Sequence, residues 1–63
     1  MSTDLAVRLT TFRQAQHWSQ QALATRLAVS VSTVARWEHG TVAPSALALV
    51  ALKRVGFRAG QVS

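Results

Sequence analysis

The sequence predicts an all-α fold, a compact bundle of four to five short helices, and three observations carry that prediction. Apolar residues recur at intervals of three and four, and nowhere alternate as a strand would. Serines stand just before the apolar runs and glycines just after two of them, where N-caps and helix terminators belong. The second and third helices are separated by about three residues, too few for anything but a tight turn.

Leu5, Leu9 and Phe12 define a first helix from about residue 4 to 16, with Ser2 or Thr3 available as its N-cap. Ser19 caps a second helix that turns Leu23, Ala24 and Leu27 inward. Ser30 caps a third, with Val34 and Trp37 inward. Val29, just before that cap, is placed to pack on Val34 as a hydrophobic staple. Gly40 ends the third helix, because glycine accepts the left-handed conformation that a helix C-terminus favours. Thr41 to Pro44 reads as a loop. Ser45 caps a fourth helix that ends near Val55, with Gly56 as its terminator. Residues 57–63 read as a tail. The chain is expected to be one domain, 1–63, with its core at about 4–56, and it contains no internal repeat.

A chain of 63 residues supports one small domain. Such a domain buries only about 60% of its unfolded surface, so its stability is marginal. The absence of cysteine excludes disulfides and thiolate metal sites. The longest apolar run, Ala46 to Leu52, is far short of the roughly 20 residues that span a bilayer. The polar start, Met1 to Asp4, gives no expectation of a signal peptide. Seven Lys and Arg face two acids, Asp4 and Glu38, for a formal net charge of +5. Six of those cations are arginine, the side chain suited to forked contacts with phosphate and guanine. This balance points to a polyanionic partner.

Two short helices joined so tightly must cross steeply, which is helix-turn-helix geometry; the small Ala24 suits their point of contact. On a wheel of about 100° per residue, Val34, Trp37 and Thr33 fall on one side of the third helix. Val31, Ser32, Ala35, Arg36 and His39 fall on the other. That second side is short and smooth with one long arginine, as a helix lying in the major groove requires. Arg36 can donate two hydrogen bonds to a guanine edge, Val31 can pack on a thymine methyl, and Ser32 can bond to several bases. Ser19 and Gln20 stand at the N-terminus of the second helix, a natural phosphate site. His39 and Thr41 can reach phosphate beyond the other end of the third helix. Glu38 is an acid on the DNA-binding helix, and becomes reasonable if Arg13 on the first helix pairs with it; the alternative is that both are solvated.

Other chemistries find little support. His17 and His39 are far apart in sequence and lack further ligands, so no metal or cofactor is expected. Ser19, His17 and Asp4 do not make a catalytic set: the serine is accounted for as a cap and the chain is too small for a substrate cleft, so no enzyme is expected. Trp18 and Trp37 could stack on single-stranded bases, but their positions on inner faces favour the core.

The run Leu9-x-x-Phe12-Arg13, then Trp18-Ser19-Gln20-x-x-Leu23-Ala24-x-x-Leu27-Ala28-Val29-Ser30, then Thr33-Val34-x-Arg36-Trp37-Glu38-x-Gly40 and Pro44-Ser45 resembles the Cro/lambda-repressor-like (XRE) family over roughly residues 5–55. The resemblance implies binding to double-stranded operator DNA, usually as a homodimer on a pseudo-palindrome. It implies a transcriptional repressor or autoregulator, cytoplasmic and nucleoid-associated, of bacterial or phage origin. The family's base-reading positions fall on Val31, Ser32 and Arg36, with Thr33 beside them, and its phosphate-contacting positions on Gln20, His39 and Thr41. Its Arg–Glu bridge falls on Arg13 and Glu38, in agreement with the charge argument.

Two departures stand out. Ala28 occupies a turn position where the family prefers glycine; a positive φ there would cost about 1 kcal/mol. The family's fifth helix is missing or reduced to the tail, which calls its usual dimer surface into question. The fourth helix offers a replacement. Ala48, Leu49, Ala51, Leu52 and Val55 cover the side assigned to the core, while Leu47 and Val50 point elsewhere beside Lys53 and Arg54. Leu47, Val50, Arg54 and Phe57 are expected to meet a second copy or another protein. The second case makes the chain an antitoxin or accessory subunit that binds a partner such as a toxin and autoregulates their operon. A third reading is a structural binder without sequence preference.

Overall fold

A computed structural model of the chain describes residues 2–57, with side chains from Asp4 onward. It contains four helices: α1 (Ser2–Ala15), α2 (Gln20–Leu27), α3 (Val31–His39) and α4 (Ala46–Arg54). The described residues include no strand and no fifth helix. The expected tail, apart from Phe57, lies outside them.

The helix starts follow the serines. Ser19, Ser30 and Ser45 are extended at φ −69 to −76° and accept from the backbone N–H groups of Ala22, Thr33 and Ala48. Each bond satisfies one amide that the helix itself leaves without an acceptor. The helix ends also share one device. Trp18 N–H donates to Arg13 O and His17 N–H to Gln14 O, and the same pair of bonds recurs from Val29 and Ala28, from Thr41 and Gly40, and from Phe57 and Gly56. This is the Schellman closure, which needs positive φ at its penultimate residue. His17 (61°), Ala28 (60°), Gly40 (76°) and Gly56 (111°) supply it.

The core joins Leu9 of α1, Leu23 and Ala24 of α2, Val34 and Trp37 of α3, and Leu52 of α4. Leu5, Phe12, Leu27, Val29, Ala48, Leu49 and Val55 pack around it. Val29 packs against the cluster that contains Val34. Trp18 and Trp37 are engaged in this apolar cluster.

Phe57 corrects the expectation. It is not a tail residue or an interface residue but part of the core, 4% exposed, with its ring 5.5 Å from that of Phe12. The cause is the end of α4. Gly56 turns the chain back, Phe57 N–H bonds to Leu52 O, and an apolar residue at that position packs under the last turn of its helix. The pair Gly-Phe was the available signal.

Candidate nucleic-acid interface

Ser30 fixes the start of α3 and Gly40 its end, so the helix is nine residues long and closed at both termini. Its inner side is anchored by buried Val34 and Trp37. Its outer side carries Val31, 39% exposed, with Ser32 and Arg36 also exposed. Ala35 between them is half-buried and small, so the helix backbone can approach a groove floor closely. Arg36 has no hydrogen bond or ion pair among the described residues, and its donors are available. Thr33 differs. It is half-buried, and its hydroxyl lies 2.9 Å from that of Ser30, so its side chain serves the cap.

Glu38 is where three helices meet. Arg13 of α1 donates from Nε to Oε2 at 2.6 Å and from Nη2 to Oε1 at 3.1 Å, a forked pair. Gln20 of α2 donates from Nε2 to Oε1 at 3.0 Å. The third nitrogen of Arg13 donates to the carbonyl of Trp18 at 2.8 Å, so the bridge also holds the α1–α2 turn. The side chains of Arg13 and Glu38 are only 13% and 6% exposed. Burial pushes the Glu38 carboxyl up, but hydrogen bonds from Arg13 and Gln20 and the Arg13 charge outweigh burial and hold it below its usual 4.5. The acid is thus ionised, neutralised by Arg13 and turned inward, away from the outer side of α3.

Among the expected phosphate contacts, Ser19 is exposed at the N-terminus of α2 with its oxygen engaged by Ala22 N–H. Gln20 stands beside it, half-buried, with one amide hydrogen committed to Glu38 and the other available. His39 and Thr41 are exposed at the other end of α3. Sequence reasoning missed that Gln20 links α2 to the bridge; its position one residue after the cap gave no cue to which neighbour it would meet. It also missed Arg26, whose guanidinium stacks 4.4 Å above the Trp18 ring. The remaining acid, Asp4, is paired with Arg8 at 3.7 Å on α1.

A closely packed α2–α3 pair, a short αL turn and a smooth outer face with one arginine define a helix-turn-helix module. The helix-turn-helix family model matches residues 9–55, three-quarters of the chain. The chain belongs to this family, in its Cro/lambda-repressor-like branch, and its class of function is DNA binding of the transcription-regulator type. No curated protein and no solved structure matches it. Among the described residues, no helix is long and apolar enough to cross a membrane, and no three His, Cys, Asp or Glu cluster as metal ligands would.

Proposed function

We propose that this protein is a sequence-specific regulator, a repressor or autoregulator, that reads an operator in the major groove through α3. Val31, Ser32 and Arg36 read bases, with Thr33 beside them at the cap. Ser19, Gln20, His39 and Thr41 hold the flanking phosphates. The protein acts without a cofactor, as a homodimer on a pseudo-palindrome, on the bacterial or phage DNA of a nucleoid. One observation carries this reading: α3 exposes Val31, Ser32 and an unpaired Arg36 while its only acid is bridged on the inner side.

Selection of bound DNA from a random library is the test. The expected outcome is an enriched half-site with a guanine position that Arg36→Ala relaxes, and two half-sites about one helical turn apart. Binding that favours no sequence, and weakens equally on all DNA as salt rises, would leave only a charge-driven binder.

A second reading has its own support. Leu47 of α4 is 80% exposed and borders an apolar groove. A surface of that kind suits an antitoxin or accessory subunit whose α4 meets another protein such as a toxin.

A further inference from the structure

We infer that the groove between α4 and the α2–α3 turn docks an acidic amphipathic segment of a different protein, with an aliphatic side chain as its anchor. The inference rests on the second reading above and adds the chemistry of the partner. The groove has a volume of about 280 Å³ and is lined by Leu27, Ala28 and Val29 on one wall and by Leu47, Ala48 and Ala51 on the other. Its walls are aliphatic, which suits an aliphatic side chain as the anchor. Leu47 stands at its rim, and Val50, 47% exposed, continues the apolar strip.

Charge selects the partner. Positions 47, 50, 51 and 54 follow the i, i+3, i+4, i+7 pattern of one helix face, so Arg54 ends the same strip, and Lys53 is exposed three residues beyond Val50. Neither cation has a partner among the described residues. The chain holds only two acids: Glu38 is bridged to Arg13 and Asp4 is paired with Arg8. A second copy would therefore bring almost no negative charge to this face and would add another +5. Acids flanking the apolar stripe of a short helix laid in the groove would meet Lys53 and Arg54.

The test titrates the full chain, without DNA, by amide NMR. The probe is a synthetic peptide of roughly 15 residues, long enough for a marginal helix, with leucines on one face and glutamates beside them. A second peptide carries lysine for every glutamate. The glutamate peptide is expected to shift amides of Leu27 to Val29 and Leu47 to Arg54, and to bind roughly tenfold more tightly than the lysine peptide, as two partly exposed ion pairs allow. The exposed double variant Lys53→Glu/Arg54→Glu should reverse that preference, and Leu47→Ser should weaken both peptides. Equal binding of the two peptides would overturn the acidic chemistry and leave a docking groove. Binding of neither would overturn the groove together with the second reading. Concentration-dependent shifts at the same amides without peptide would assign the face to a second copy and overturn the inference.

Discussion

On one side of α3, Val34 and Trp37 are buried and Glu38 is gripped by Arg13 and Gln20. On the other, Val31, Ser32 and Arg36 stand in solvent. Both faces belong to one helix nine residues long, so whatever fixes the inner face also aims the outer one. The bridge reaches α1, α2 and the α1–α2 turn from a single carboxylate. Loss of an inner contact should therefore appear in folding first and in DNA binding only as a consequence. Loss of an outer contact should appear in binding alone.

The largest expected effect is on the inner side. Glu38→Ala leaves the Arg13 guanidinium nearly buried and without its carboxylate, a change that costs about 3 kcal/mol. A domain of this length has a total stability on the order of 3–9 kcal/mol, so the variant should lose a third of it or more. Urea denaturation measures it directly. A loss below about 1 kcal/mol would place the bridge with ordinary surface pairs and end its role in holding α3.

Next in size is Arg36→Ala on the outer side. It should weaken binding to a selected operator by about 1–3 kcal/mol, with preference relaxed at one base position. Its unfolding free energy should stay within about 0.5 kcal/mol of the parent's, because the residue is exposed and unpaired. If operator affinity were unchanged, the reading face would lie elsewhere and the contrast between the two faces would lose its functional meaning.

The bridge also sets a pH dependence. The Glu38 carboxyl is held below 4.5 in the folded chain, so folding favours its ionised form. Its contribution is therefore complete above about pH 4.5 and is lost as pH falls through the folded-state value. Thermal midpoints should drop on acidification below that point, and should drop less in Glu38→Gln, which has no proton to take up there. Parallel curves for the two proteins would show that the acid transition belongs to other groups.

Much of this arrangement was legible because it depends on local chemistry. A serine before an apolar run can satisfy a free amide wherever the run packs, and Ser19, Ser30 and Ser45 all do so. The Arg13–Glu38 pair was legible for another reason: an acid on the helix expected to read DNA, in so basic a chain, needs a partner. Four features were not. Arg26 over Trp18 and Gln20 on Glu38 depend on how α1, α2 and α3 cross, which spacing does not specify. The left-handed turn at His17 was masked because histidine, unlike glycine, does not announce a positive φ. Phe57 looked like a tail because periodicity ends at Val55, while its burial comes from the Gly56 closure and not from a helical face.

The smallest expected effect lies at the two ends of α3, where the same closure is made with different residues. Gly40 reaches φ 76° without steric cost, whereas Ala28, just before the α3 cap, holds φ 60° with a Cβ that the left-handed region disfavours by about 1–2 kcal/mol. Ala28→Gly removes that strain but gives the unfolded chain more freedom, worth about 0.5–1 kcal/mol. Ala28 is exposed, so little packing is lost. The net gain should be about 0.5–1 kcal/mol, or a rise of roughly 2–8 °C in the thermal midpoint. Gly40→Ala should move it the other way by a similar amount. Operator affinity should be unchanged in Ala28→Gly, since the two closing bonds from Ala28 and Val29 are backbone bonds that glycine keeps. A stabilised variant that binds its operator less well would show that the strained turn itself sets the angle of α3, and that the outer face is aimed from its own N-terminal turn as well as from the bridge behind it.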